Sequence, residues 1–429
     1  MTATNPEDIK NHAILHVLVG AFGDPGHAFP AIALGAALTA RGHTVTLETW
    51  SRWREPVEAA GMVFAAAPEY PVFPTRSRPL RPYEAVVRAA AETRPLVAAA
   101  RPDVVVADIL TLAPALAAEL EGVPAATLVP HVFPPAEPGF PPYSFGARLP
   151  RTAAGRAAWR LLDRPVEGGV RRGRSELNDT RSRLGLPPLT HLHGGISRKL
   201  ALVATFPQLE YPREWPEWAH VVGPLMWEPP FGEVEVPPGD DPLVLVAPST
   251  SQDPSQRLLR AALPGLADAP VRVLATTNRR PLPSPVAVPG NARLVDWVSY
   301  SRTMPRCDVV LCHGGHGTVV RALASGCAVV AVPAAGDMFE NAARLDWAGL
   351  GVRLPNRLCT PRAVRLAVER CLADAALRAR ARDVAAWAET HDPAARAAEL
   401  VEGLAARETT GWRPYNARAL PTRTRNSPR

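Results

Sequence analysis

The sequence predicts an α/β protein with two halves, each built on a parallel sheet. Short apolar runs alternate with helical patterns along most of the 429 residues, and Gly or Pro bounds most of them. Runs that are apolar throughout are typical of strands buried on both faces of a parallel sheet. A chain of this length is expected to form about two domains.

The strand and helix patterns recur before and after a proline-rich middle segment. Strands are predicted at Ile14–Val19, Val45–Thr49, Asp103–Ala107, Ala125–Val129, Leu243–Ala247, Val271–Thr276, Asp308–Cys312 and Ala328–Val332. Helices are predicted at Ala28–Ala40, Leu112–Glu121, 151–184 and 380–405. Sheets with helices between consecutive strands follow from this rhythm.

The domain boundaries follow from composition. Residues 224–242 are rich in proline and acidic side chains and indicate a linker. They separate an amino-terminal domain, 1–223, from a carboxyl-terminal domain, 243–405, whose last helix is a candidate to cross back onto the first domain. The basic tail, 406–429, is expected to be disordered.

Charge and cysteine content exclude several classes of protein. The net charge is +7, but residues 407–429 hold six Arg and one Glu, so the body carries only about +2 and no basic nucleic-acid-binding face is expected. The five cysteines include no C-x-x-C pair, which predicts neither a disulfide framework nor a zinc site and suits a reducing cytoplasm. The start of the chain does not resemble a signal peptide, and no apolar run is long enough for a transmembrane helix.

The segment that follows the strand Asp308–Cys312 carries the clearest chemical signal. It reads His313-Gly314-Gly315-His316-Gly317-Thr318 and leads directly into a helix. Glycines let the backbone approach a ligand closely, and the free N–H groups at a helix start suit a phosphate. His313 and Thr318 can add side-chain donors.

A second polar cluster follows the next strand. Asp337, Glu340 and Asn341 surround the start of another helix. Asp337 is either a helix cap or, next to a phosphate loop, an acceptor of hydrogen bonds from sugar hydroxyls.

In the amino-terminal half, His27 follows the first strand, at the sheet edge where open α/β sheets bind ligands. Its pKa range suits a general base near pH 7. Asp108, at the end of another strand, is the candidate carboxylate to orient that histidine, or else a helix cap.

Together these segments resemble the family 1 glycosyltransferases, above all the bacterial natural-product and macrolide-type enzymes. The matching run covers Trp297 to Asn341, and Gly26-His27 with Pro30 is similar to the family's G-H-x-x-P element. The resemblance implies the GT-B fold, in which two Rossmann-like domains with parallel sheets face each other. It implies an inverting transfer of a hexose or deoxyhexose from a UDP- or dTDP-sugar to a hydroxyl of an apolar natural-product aglycone.

The resemblance also implies roles for single residues. His27 would be the general base and Asp108 its partner, and the donor would be held by Ser249, Thr250, Trp297, His313, Gly315, Gly317, Thr318, Asp337 and Asn341. No cofactor or metal is expected beyond the nucleotide-sugar co-substrate. The family's frequent Asp-Gln pair is Asp337-Met338 here, which permits a deoxysugar donor.

The proline-rich segment after Val129 suggests an apolar acceptor, with Phe133, Phe140, Tyr143 and Phe145 as candidate contacts. Two alternatives stay open. Glu48 follows Gly26 by 22 residues, near the spacing of a ribose-binding acid in an NAD-type oxidoreductase, but Gly20, Gly23 and Gly26 do not form G-x-G-x-x-G. The other alternative is an auxiliary, non-catalytic GT-B protein, which the presence of His27 and Asp108 disfavours.

Overall fold

The computed structural model describes residues 13–68, 84–249, 253 and 255–411. Within these residues the amino-terminal half holds a seven-stranded sheet in the order β3-β2-β1-β4-β5-β6-β7, with all pairs parallel. Its strands are β1 (His16–Gly20), β2 (Thr44–Thr49), β3 (Val63–Ala66), β4 (Val104–Asp108), β5 (Ala125–Val129), β6 (Ala201–Val203) and β7 (Ala219–Val221). The order reverses between β1 and β4, which is where doubly wound sheets open a crevice for ligands.

The carboxyl-terminal half repeats this plan with six parallel strands among the described residues, in the order β10-β9-β8-β11-β12-β13. They are β8 (Leu243–Ala247), β9 (Arg272–Thr276), β10 (Ala292–Val295), β11 (Val309–Cys312), β12 (Ala328–Ala331) and β13 (Gly351–Arg353). The central strands β8 and β11 are buried throughout. The fold is therefore α/β with two Rossmann-like sheets, as the sequence predicts.

Helices connect the strands. They are α1 (Pro25–Ala40), α2 (Arg54–Ala59), α3 (Glu84–Ala100), α4 (Leu112–Leu120), α5 (Ala153–Arg160), α6 (Asp163–Arg183), α7 (Arg257–Leu266), α8 (Tyr300–Thr303), α9 (His316–Ala324), α10 (Asp337–Ala348), α11 (Pro361–Ala373), α12 (Ala375–Thr390) and α13 (Pro393–Gly411). No helix in the described ranges is both long and apolar enough to cross a membrane.

The last helix packs on the amino-terminal half. Ala397, Val401 and Leu404 of α13 belong to the same buried cluster as Val17 and Leu34. The prediction of one helix over 380–405 is wrong, because α12 ends at Thr390 and Pro393 begins a new helix. Residues 406–411 are part of α13, so the predicted disordered tail starts too early, and the rest of that tail lies outside the described residues.

Buried charges join the two halves. Arg344 of α10 donates to the Glu210 carboxylate at 2.7 Å and to Glu340 at 2.8 Å, and all three side chains are almost fully buried. Glu340 also accepts from the backbone N–H of Ser144 at 3.3 Å. Since an unpaired charge here would be costly, this network favours one arrangement of the two sheets.

Candidate active site

A histidine–carboxylate pair lies where β1 and β4 end side by side. His27 Nδ1 is 2.8 Å from Asp108 Oδ2, and the Asp108 side chain is completely buried. A carboxylate only accepts, so Nδ1 carries the hydrogen and Nε2 keeps its lone pair. The other Asp108 oxygen accepts from the backbone N–H of Leu110 at 2.9 Å, which fixes the carboxylate in this orientation.

The helix that the sequence predicts from Ala28 begins three residues earlier. Pro25 begins α1, so His27 occupies the first helical turn. Burial by itself lowers the pKa of His27. The Coulombic attraction of Asp108 and its hydrogen bond, with further contributions from Asp337 and Asp24, outweigh burial and raise that pKa above its usual value.

The glycine segment after β11 forms a tight strand-to-helix turn. Gly314 has a φ of +80°, and a Cβ there would lie 3.2 Å from the carbonyl oxygen of Met338. A Cβ on Gly315 would collide with the His313 imidazole, whereas one on Gly317 would meet nothing within 4 Å. The space beside Gly317 lies at the start of α9, whose first N–H groups have no partner inside the helix.

The two histidines of this turn are buried and differ in their partners. His313 Nδ1 donates to the carbonyl of Ala247 at 3.3 Å, so in the neutral ring Nε2 is an acceptor. His316 lies 3.3 Å from the carbonyl of Ala204 in the other half. Burial lowers the pKa of His313, and it lowers that of His316 to about 4, so both rings are neutral at pH 7.

The start of α10 lies against the glycine turn. Asn341 is buried and donates to the Gly314 carbonyl at 3.0 Å and to Asp337 Oδ2 at 3.4 Å. Asn341 therefore links the glycine turn to the start of α10 through hydrogen bonds. Asp337 is half-buried, and its charge contributes to the raised pKa of His27 in the other half.

The other predicted donor residues lie at separate places along the second sheet. Ser249 is buried two residues beyond β8, Thr318 is buried in the first turn of α9, and Thr250 lies outside the described residues. Trp297 follows the edge strand β10, three strands away from β11, so it is not next to the glycine turn. The Arg279 guanidinium lies 4.8 Å from its ring centroid, and both line a surface cavity of about 690 Å³.

Two of the four aromatic side chains predicted to contact an acceptor are buried against other rings. Phe133 is 2% exposed and packs 5.3 Å from Trp215, and Phe140 packs 5.7 Å from Tyr211. Phe145 is 65% exposed beside Trp159. Packing of the proline-rich segment onto residues far away in the sequence therefore buries Phe133 and Phe140, while the Phe145 ring stays exposed.

Tyr143 remains at the site, next to a residue that the sequence analysis missed. The Tyr143 hydroxyl is 3.3 Å from His131 Nδ1, and the His131 ring centroid is 6.4 Å from that of His27. Burial lowers the pKa of His131, and the charge of His27 adds to this effect. The signal was available, because His131 follows β5 at the same sheet edge as His27 and Asp108.

Comparison with known proteins supports the resemblance to glycosyltransferases. Residues 260–405 match the family model described as "Erythromycin biosynthesis protein CIII-like, C-terminal domain". The chain is 29% identical to 4'-demethylrebeccamycin synthase of Lentzea aerocolonigenes, covering 90% of this chain and 99% of that protein. It is also 29% identical to O-mycaminosyltylonolide 6-deoxyallosyltransferase of Streptomyces fradiae, over 91% of this chain and 98% of the relative.

Solved structures agree on the fold. The glycotransferase of kitacinnamycin superimposes with a TM-score of 0.71 at 22% identity, covering 91% of this chain and 99% of that one. The glycosyltransferase VinC in complex with dTDP gives a TM-score of 0.67 at 19% identity, covering 92% and 100%. Because the relatives are glycosyltransferases, the alternative of an NAD-type oxidoreductase is wrong. The chain is therefore a glycosyltransferase of the GT-B fold that resembles the bacterial natural-product, macrolide-type enzymes of family 1.

Proposed function

We propose that this glycosyltransferase moves a hexose or deoxyhexose from a UDP- or dTDP-sugar to a hydroxyl of an apolar natural-product acceptor, with inversion at the anomeric carbon and His27 as the base. The observation that carries this proposal is the His27–Asp108 pair, within electrostatic reach of Asp337 from the opposite half.

The proposed reaction is a single displacement. The acceptor oxygen bonds to the anomeric carbon while the bond from that carbon to the diphosphate oxygen breaks, and the nucleoside diphosphate leaves with the electron pair. The acceptor proton moves to His27 Nε2, and the Asp108 carboxylate stabilises the resulting imidazolium. General-base catalysis of this kind contributes roughly 10²–10⁴ in rate.

The leaving diphosphate is assigned to the glycine turn and the start of α9. The open space beside Gly317 lets phosphate oxygens approach the backbone N–H groups, and the helix dipole favours their negative charge. Ser249 lies two residues beyond β8, and Thr318 lies in the first turn of α9, which follows the neighbouring strand β11. Both can add hydroxyl donors. Because these groups neutralise the leaving charge, we propose that no metal ion is required.

His313 would act through a change of protonation. In the free protein its Nδ1 hydrogen is used by Ala247, so Nε2 needs a second proton before it can donate to a phosphate oxygen. A bound diphosphate favours that cation. Donor binding should therefore be accompanied by proton uptake at His313.

The sugar and base contacts follow from Asp337, Met338 and Trp297. Asp337 can accept from sugar hydroxyls, and Trp297 offers a ring against the nucleobase. Met338 offers only a soft apolar surface, which suits a sugar that lacks one hydroxyl. Two comparisons support this: a relative is named as a 6-deoxyallosyltransferase, and one similar structure contains dTDP.

A donor panel tests the proposal. UDP-glucose, dTDP-glucose and dTDP-6-deoxyglucose, which differs from dTDP-glucose by one hydroxyl, would each be offered with phenolic and macrolactone acceptors. Products would be followed by mass spectrometry with and without EDTA. We expect transfer that survives EDTA, with kcat/KM for the deoxysugar higher by about 5- to 150-fold, the effect of one unmade hydrogen bond. Met338→Gln should shift this preference towards glucose, whereas Leu366→Gln, at an exposed leucine on α11, should not.

Different failures of this panel have different meanings. A strong preference for UDP-glucose that Met338→Gln leaves unchanged would make Met338 a packing residue. Activity that EDTA abolishes and Mg²⁺ restores would contradict the metal-free mechanism. An absence of transfer with every combination would contradict the proposed donor and acceptor classes.

A further inference from the structure

A small niche lies behind the His27–Asp108 pair, at the carboxyl end of β2. Glu48 is the penultimate residue of that strand and pairs in register with Gly20 of β1. The niche has a volume of about 20 Å³, which is room for one group of the size of a water molecule. Its lining is mostly apolar and includes Phe22, Trp50 and Leu110, with Glu48, Thr93 and Thr111 as the polar members.

The Glu48 carboxylate is only half satisfied. Its Oε1 accepts from the Thr93 hydroxyl at 2.7 Å, while Oε2 is buried and has no hydrogen-bond partner among the described residues. Glu48 is 3% exposed. Burial raises the pKa of Glu48 to about 7, although the Thr93 hydrogen bond lowers it. A buried oxygen without a hydrogen-bond donor destabilises the folded protein unless a bound group supplies the donor.

The niche shares its walls with the catalytic pair. Phe22 lines it and places its ring edge-on to His27, with centroids 6.0 Å apart, and to Trp50 at 4.8 Å. Leu110 also lines it, and its backbone N–H holds Asp108. Leu110 is 37% exposed and Trp50 is half-buried, so the rim lies at the protein surface on the side of the base.

We propose that this niche is a recognition site for one hydrogen-bond-donating group of the acceptor, a hydroxyl or an N–H remote from the hydroxyl that is glycosylated. The group donates to Glu48 Oε2 and fixes the orientation of the aglycone, while the apolar walls exclude larger polar substituents. The inference rests on the proposed function, since it assumes that the acceptor lies over His27. In this role Glu48 binds a group of the acceptor, whereas in a dinucleotide-binding oxidoreductase the acid at this spacing would bind the ribose.

The test compares two probes that differ in one hydrogen-bond donor. Binding of 2,6-dihydroxynaphthalene and 6-methoxy-2-naphthol would be measured by calorimetry on the full chain without any nucleotide. We expect the dihydroxy probe to bind the wild type roughly tenfold more tightly or better. Glu48→Leu should abolish the difference, whereas Glu92→Leu, at an exposed residue next to Thr93 on α3, should preserve it.

Two further measurements keep the proposal falsifiable if Glu48→Leu does not fold. Glu48→Gln, which retains an oxygen acceptor, should retain part of the preference. In the wild type the preference should grow from pH 6 to pH 8 as Glu48 ionises. The titratable or charged groups beside the niche are His27 against Phe22, Asp108 at the Leu110 N–H and Arg52 over the Trp50 ring, and each of them is present with both probes. Equal affinities in the wild type, including no binding of either probe, would overturn the inference and leave a water site. Because no turnover is measured, a failure of the transferase proposal would show separately.

Discussion

The edges of the two sheets carry different kinds of chemistry. At the end of the amino-terminal sheet the functional groups are titratable side chains, and their pKa values are moved in opposite directions. The pKa of His27 is raised, that of His131 is lowered, and that of Glu48 rises to about 7. Burial contributes to all three shifts, and at His27 the attraction of Asp108 and other carboxylates outweighs it.

At the end of the carboxyl-terminal sheet the functional groups belong mostly to the backbone. The turn after β11 is kept open by Gly314, Gly315 and Gly317, and its histidines are neutral. Moving a proton requires a tuned side chain, whereas holding a diphosphate requires N–H groups at fixed positions. Acceptor chemistry and donor binding can therefore change separately, because the first relies on the amino-terminal half and the second on the carboxyl-terminal half.

The largest effect is expected from His27→Ala. It should lower kcat by about 100-fold or more, since the base is lost, and leave the dissociation constant for dTDP or UDP nearly unchanged. Steady-state kinetics and calorimetry on one preparation measure both. His391→Ala, at an exposed histidine that follows α12, is the matched control. If nucleotide affinity fell along with kcat, the division between the two halves would not hold.

A smaller effect is expected from Asp108→Asn, about tenfold or more in kcat. The base must be neutral to accept a proton, so activity rises as the pH passes the pKa of His27. Asp108 raises that pKa, and its neutral replacement should therefore move the acid limb of the kcat/KM profile to lower pH. A profile that stays in place would reduce Asp108 to a support for Leu110.

Gly315→Ala and Gly317→Ala test the backbone site. A Cβ at Gly315 displaces His313, so this variant should melt at a lower temperature and bind nucleotide about tenfold more weakly. Gly317→Ala has room in the free protein and should melt at an unchanged or slightly higher temperature, since Ala favours a helix over Gly. Equal melting temperatures for the two variants would refute the described turn.

The smallest effect is the proton taken up with the nucleotide. Calorimetry at pH 7.5 in buffers of different ionisation enthalpy should show uptake of up to about one proton, because neutral His313 must become a cation to donate. His313→Asn should remove the dependence on buffer. A wild-type protein whose binding enthalpy does not vary with buffer would contradict this role.

Much of the fold could be read from the sequence because buried parallel strands form uninterrupted apolar runs. Ala125–Val129 and Leu243–Ala247 were predicted to the residue and the other six predicted strands within two residues, but β3, β6, β7, β10 and β13 were not predicted. Errors arose where a proline acts on the helix that follows it. Pro25 places His27 inside α1, and Pro393 divides the final helices.

The site could be predicted only as far as adjacent strand ends determine it. His27, Asp108 and the glycine turn follow from topology, since carboxyl ends of parallel strands share one edge. The positions of Phe133 and Phe140 depend on Trp215 and Tyr211, which no local pattern connects to them. The Glu48 niche likewise requires α3 to lie across β2, and this is a tertiary fact.

The anomeric configuration of the product tests the central claim most directly. A base on one half and a diphosphate site on the other imply attack from the face opposite the leaving group. Proton NMR of the purified glycoside, through the coupling constant of its anomeric hydrogen, reports the outcome. A single displacement with His27 as the base predicts inversion, so that an α-linked donor yields a β-glycoside. A product that retains the donor configuration would contradict the single displacement and the role of His27 in it.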